Sequence, residues 1–190
     1  MGRGDCPGEP VVAARARRRY NRLKMAPTIE SPVFDLSLAD LSATTRLARV
    51  VADAACPGDV IALRGELGTG KTTFARAFIE WCAAAAGLPA PEVPSPTFTL
   101  VQTYELGEVE VWHFDLYRVV APDEVYEFGI EDALGRAISL IEWPERMGAL
   151  LPEARLEVAL SFGAAPDVRD ATLSGDGGWA TRIVEIRRHV

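Results

Sequence analysis

The sequence predicts a single α/β domain, on three observations. Its 190 residues suit one such domain better than two. Nearly half of them (48%) are apolar, enough for a substantial core. A short continuous apolar run, Val60-Ile61-Ala62-Leu63, reads as a strand covered on both faces and feeds directly into a glycine-rich segment with a helical pattern behind it.

The elements follow in order. Pro32 to Leu38 is strand-like, with Val33, Phe34, Leu36 and Leu38 apolar. Asp40 or Ser42 caps a helix to about Ala55, with Leu47, Val50, Val51 and Ala54 on its buried stripe. Pro57-Gly58-Asp59 is a turn, Val60 to Leu63 the covered strand, and a helix runs from about Gly70 to Ala86, ended by Gly87. Pro89, Pro91, Pro94 and Pro96 enforce an extended connector. Phe98 to Leu106 and Val109 to Tyr117 form an antiparallel hairpin around Gly107-Glu108. Residues 122–137 are helical in two pieces broken at Gly129, and Ala137 to Trp143 is a buried strand ended by Pro144. Leu156 to Phe162, Asp170 to Ser174 and Thr181 to Arg187 form a terminal antiparallel β segment with a turn at Gly175–Gly178.

Composition excludes several classes. No apolar run reaches the roughly 18 residues of a membrane span. Cys6, Cys56 and Cys82 are far apart and odd in number, which argues against disulfides or zinc and fits a reducing cytoplasm. His113 and His189 are too few for a histidine metal cage. The net charge of −7 hides an asymmetry: residues 1–24 carry seven basic and two acidic side chains, a net of +5, which leaves −12 for the rest. So acidic a domain is repelled by phosphate and is no general nucleic-acid binder. The basic segment 1–24 reads as a disordered leader. Translation upstream of the true start is favoured over an RNA-binding arm or a targeting peptide, because Met25 stands just before the first strand. Residues 25–190 form the single domain.

Gly65-Glu66-Leu67-Gly68-Thr69-Gly70-Lys71-Thr72 matches the phosphate-binding loop pattern in full, in the required context of strand, loop and helix. Glycines let backbone N–H groups turn inward and wrap phosphates, and the helix that follows adds its dipole. Lys71 supplies a charge to the β- and γ-phosphates, and the Thr72 hydroxyl is a ligand for Mg2+. Lys71 is the only lysine after Lys24 in a chain that otherwise uses arginine, which weakens its reading as a surface residue. The nucleotide contacts expected are Glu66, Leu67, Gly68, Thr69, Gly70, Lys71, Thr72 and Thr73.

A magnesium nucleotide also needs a carboxylate at a strand end. Asp115 ends Val111-Trp112-His113-Phe114-Asp115, and Glu142 ends Ile138-Ser139-Leu140-Ile141-Glu142. The favoured division puts Glu142 beside the metal and Asp115 as water-orienting base or second metal contact; the residues alone also allow the swap. Alternation puts His113 on the face of Asp115, where a structural role outweighs a catalytic one. Arg118 is open between phosphate, a partner and an acidic neighbour, and Trp143 is a packing residue whose place beside Glu142 leaves a further role open. The one asparagine, Asn21, and the absence of lysine after Lys71 exclude an Asn-Lys-x-Asp guanine motif, so ATP is the nucleotide expected.

The chain at this point resembles the TsaE (YjeE) family of bacterial tRNA threonylcarbamoyladenosine biosynthesis. Four blocks carry the resemblance: residues 65–73, Ser95-Pro96-Thr97-Phe98-Thr99-Leu100-Val101, His113-Phe114-Asp115-Leu116-Tyr117-Arg118 and Ile141-Glu142-Trp143-Pro144-Glu145. It covers about residues 33–162. Thr69 stands where Ala is usual.

The resemblance implies a P-loop NTPase fold, a three-layer α/β sandwich with a mixed, mainly parallel sheet and antiparallel additions. It implies Thr72 and Glu142 as Mg2+ ligands, Asp115 and Lys71 as catalytic residues, and Ser95-Pro96-Thr97 as a switch-like loop near the γ-phosphate. It further implies a cytoplasmic, weak Mg-dependent ATPase that acts with the partner proteins TsaD and TsaB and meets tRNA through them. A nucleotide-sensing module with incidental hydrolysis is the alternative. A small-molecule kinase lacks its arginine-rich lid between Thr73 and Leu160.

Overall fold

A computed structural model describes residues 33–190. The expectations for the basic leader 1–24 lie outside the described residues.

Seven strands form one sheet: β1 (Val33–Leu38), β2 (Val60–Arg64), β3 (Val101–Leu106), β4 (Val109–Asp115), β5 (Ile138–Glu142), β6 (Leu156–Phe162) and β7 (Arg169–Gly175). Their order is β1-β7-β6-β2-β5-β4-β3. The central β6, β2, β5 and β4 are mutually parallel, and antiparallel strands extend both edges. The helices are α1 (Leu41–Ala54), α2 (Lys71–Ala85), the single turn α3 (Ile130–Ala133) and α4 (Gly178–Ile186). Two 3-10 segments, Pro122–Phe128 and Pro144–Leu150, complete the chain.

Strand alternation divides the core in two. Leu140 faces a cluster shared with Leu47 and Val51 of α1, Phe74 and Phe78 of α2, and Trp179 of α4. Its neighbour Ile141 faces the opposite cluster, with Phe114, Leu116, Val125, Ile130 and Met147. Apolar cover on both sides explains why β2 and β5 read as continuous apolar runs, and it yields the three-layer sandwich expected.

The local causes are visible in the sequence. Asp40 caps α1, its side chain accepting from Ala43 N at 2.8 Å. Gly87 follows α2 at φ +73°, and Leu88 N closes back onto Ala83 O at 2.9 Å, a glycine stop. Gly129, at φ +76°, separates the 3-10 turn from α3.

Two expectations need correction. Thr181 to Arg187 is not a strand but lies in α4 and its cap. Trp179, Ile183 and Ile186 are buried at helical spacing, whereas alternation would have buried Glu185, which is exposed. Arg182 fixes this helix to the turn before β2, where it pairs with Asp59 and donates to Ala54 O at 2.9 Å. The strand expected from Phe98 begins only at Val101, because Leu100 N bonds Pro96 O at 2.6 Å and Leu100 takes a positive φ of 66°, which makes residues 96–100 a turn. Among the described residues no helix is long and apolar enough to cross a membrane.

Candidate functional site

The site forms where the parallel strands end. β2 stops at Arg64, the chain turns through residues 65–70, and α2 begins at Lys71. Gly65 has φ +136°, and a Cβ there would lie 2.2 Å from Leu160 O of β6, so only glycine fits this crossing. Gly70, at φ +107°, is the α2 N-cap; no side chain caps it, and no atom lies within 4 Å of where its Cβ would stand. The loop is therefore open to a ligand at the N-terminal end of α2. Thr69 is buried, and its hydroxyl donates to Glu66 O at 2.9 Å, which ties the turn from within. Glu66, Leu67 and Gly68 form the exposed tip, and Thr73 sits half-buried in the first turn of α2.

Lys71 folds back under this loop. Its Nζ donates to Gly65 O at 2.7 Å and Glu66 O at 2.8 Å, and it lies 4.0 Å from the centroid of the Trp143 ring. Burial pushes the ammonium below its ordinary pKa, against the opposing pull of Glu142, Asp115 and Glu145. Trp143 reaches this place because it leaves β5 with a left-handed φ of 58°, its N–H on Leu63 O at 3.3 Å and its ring 5.0 Å from that of Tyr117.

The two carboxylates stand beside the loop. Glu142 pairs in register with Leu63 of β2 on one side and Asp115 of β4 on the other. Both acids are buried, at 2% and 4% exposure, which an isolated carboxylate does not tolerate. Each is hydrogen-bonded. Glu142 Oε2 accepts from the Thr72 hydroxyl at 3.1 Å, and Oε1 lies 2.9 Å from His113 Nε2. Asp115 Oδ2 accepts from Thr97 Oγ1 at 2.6 Å and Ser95 Oγ at 3.2 Å, and Oδ1 accepts from Tyr117 N at 3.1 Å. The main chain reinforces the contact: Asp115 N donates to Leu100 O at 3.0 Å.

The geometry thus brings together Lys71, Thr72, Asp115, Glu142 and the Ser95-Pro96-Thr97 segment, which the sequence separates by up to 71 positions. Arg118 is exposed, and its guanidinium stands 4.6 Å from the Phe98 ring centroid. Three contacts were not foreseen from sequence. The Trp143 ring on Lys71 depends on a backbone reversal that no local pattern announces. The His113 bond to Glu142 crosses between strands, whereas alternation along β4 placed His113 only on the face of Asp115. The Tyr117 amide on Asp115 did have a signal, the tendency of aspartate to bond the backbone two residues on.

The oxygen set fits a hard cation carried by a nucleotide. Mg2+ takes one or two protein oxygens and fills its remaining positions with phosphate and water. The Thr72 hydroxyl and the Glu142 carboxylate, in contact at 3.1 Å, would fit as such a pair.

Comparison with known proteins covers the residues that form the site. Residues 38–169 match the family described as "Threonylcarbamoyl adenosine biosynthesis protein TsaE". A tRNA threonylcarbamoyladenosine biosynthesis protein TsaE from Rickettsia conorii is 40% identical over 117 residues, 62% of this chain, and the match spans 65% of that protein's length. The protein of the same name from Bacillus subtilis is 35% identical over 149 residues, 77% of this chain and 89% of its own. The crystal structure of YdiB from Bacillus subtilis superposes with a TM-score of 0.65 at 29% identity, covering 85% of this chain and 99% of that one.

Proposed function

The chain belongs to the TsaE family, and on that premise we propose that it is an ATP-binding and ATP-hydrolysing auxiliary protein for threonylcarbamoyladenosine modification of tRNA, acting with TsaD and TsaB in the cytoplasm. The observation that carries this reading is the convergence of a phosphate-loop pattern, its lysine and two buried carboxylates that are register partners at the ends of adjacent strands.

Each residue has a task in this reading. The loop amides and Lys71 bind and orient the phosphates, and Thr72 with Glu142 holds the magnesium ion. That ion supplies charge neutralisation for the transferring phosphoryl group. Asp115 orients the attacking water and takes up its proton. Ser95 and Thr97, whose hydroxyls rest on Asp115, couple the carboxylate to the segment that would lie near the γ-phosphate. The net charge of −12 outside residues 1–24 fits contact with tRNA through partners. Hydrolysis by the isolated protein is slow in this account, since no arginine of a matched motif is assigned to the phosphates. A finger supplied in trans is worth roughly 10³–10⁵ in rate.

The experiment is an ATPase assay of the full chain with TsaD and TsaB. Hydrolysis that Lys71→Ala and Asp115→Ala both abolish supports the reading; parental turnover by either variant overturns it. The alternative, a nucleotide-sensing module, predicts that Asp115→Asn still binds ATP and still supports tRNA modification in cells.

A further inference from the structure

We infer that His113 is the positioning residue for Glu142, an assignment that rests on the magnesium-nucleotide reading above. His113 lies on β4 two residues before Asp115, fully buried, with its Nε2 2.9 Å from Glu142 Oε1. Alternation places it on the face of Asp115, and the register sets it opposite Leu140, within reach of Glu142, the next residue on that face of β5.

The bond has a definite sense. A carboxylate accepts only, so Nε2 carries the hydrogen of this bond. Nδ1 has no hydrogen-bond partner, so the bond to Glu142 is the one polar tie of the ring among the described residues. Thr72 engages the other oxygen, Oε2, at 3.1 Å. The two oxygens of Glu142 are thus divided. Oε1 is anchored inside the sheet by the imidazole, and Oε2 is presented at the loop mouth beside the threonine hydroxyl. Without the anchor, rotation about the last side-chain torsion of glutamate, which is broad and roughly two-fold, would let either oxygen turn inward. Groups that hold a ligating carboxylate from behind typically matter roughly 10–100-fold in metal affinity.

Two variants separate this role from packing. In His113→Gln the amide nitrogen falls near the place of Nε2 and keeps the donor; in His113→Asn it falls one bond short and withdraws it. Both are buried polar replacements of similar structural cost, so their contrast reports the hydrogen bond. The readout is the Mg2+ concentration that half-saturates binding of a non-hydrolysable ATP analogue, with affinity in EDTA and thermal melting measured alongside. The expected result is a Mg2+ requirement raised roughly tenfold or more in His113→Asn and within about threefold of the parent in His113→Gln, with EDTA affinity unchanged in both. Equal Mg2+ requirements in the two variants, or an EDTA affinity that falls by the same factor, overturn the assignment. A parent whose nucleotide affinity is indifferent to Mg2+ overturns the reading of the site, and this assignment with it.

Discussion

Asp115 and Glu142 stand side by side as register partners at the tips of two adjacent parallel strands, both buried and each bonded to a different hydroxyl-bearing segment. One acid is tied to the start of α2 through Thr72 and the other to the proline-stiffened connector through Thr97. Two neighbouring carboxylates with separate partners can carry separate tasks, and the predictions follow from that division.

Replacing Asp115 by Asn keeps the shape and the acceptor oxygen for Tyr117 N but removes the charge and, in the proposed reading, the base. ATP binding should stay within a few-fold of the parent while kcat falls about 10²-fold or more, the usual worth of a positioned general base. Equilibrium binding and steady-state hydrolysis, measured on the same preparation, check both halves.

The Trp143 ring reports on Lys71. Phosphate draws the ammonium from its place 4.0 Å from the ring centroid, so Mg-ATP should change tryptophan emission. Trp143→Phe should remove that change, whereas Trp81→Phe, on the remote face of α2 where its indole bonds Asp53, should keep it. An unchanged signal in Trp143→Phe would contradict the assignment.

Away from the site, Glu157 of β6 accepts from Arg64 across on β2 and from Arg155 just before its own strand. Burial by itself would raise this carboxyl, but hydrogen bonds from the two guanidinium groups outweigh it and hold the pKa below the ordinary glutamate value. A depressed folded-state pKa contributes stability that is fully present above the ordinary value and is lost as the pH falls through the folded one. Glu157→Gln should therefore cost about 1 kcal/mol in urea unfolding at pH 7, and the difference should shrink as the solution is acidified below the ordinary carboxylate range.

Arg182 tests the α4 correction. It is 8% exposed, pairs with Asp59 and donates to Ala54 O. Arg182→Ala leaves a mostly buried carboxylate unpaired and should cost about 3 kcal/mol in chemical denaturation. Were this segment an edge strand with a surface arginine, the cost would be under about 1 kcal/mol.

Much of this was legible because local chemistry and fold agreed. The glycines at 65 and 70 take positive φ that other residues resist, the run at 60–63 is apolar on both faces, and the prolines at 89–96 bar a helix; the elements they bound sit where the sequence puts them. The terminal helix was not legible: its nine residues are too few for a helical period to outweigh the β-branched Ile183-Val184 pair, and what decides is tertiary, the seat of Trp179 in the core and the Arg182–Asp59 pair. In the candidate site, motif and strand end singled out Lys71, Thr72, Asp115 and Glu142, which the fold brings to one place. Partner choice was not, since the bond from His113 to Glu142 is set by the register of β4 on β5, which no single segment encodes.

The most direct test is a crystal structure of the full chain with Mg2+ and a non-hydrolysable ATP analogue. The account predicts phosphates cradled by the backbone of residues 65–72, Lys71 Nζ turned onto them, and a metal ion about 2.1 Å from the Thr72 hydroxyl with Glu142 on it directly or through one water. Loop amides facing away from an empty groove, or an ion remote from both Thr72 and Glu142, would contradict it.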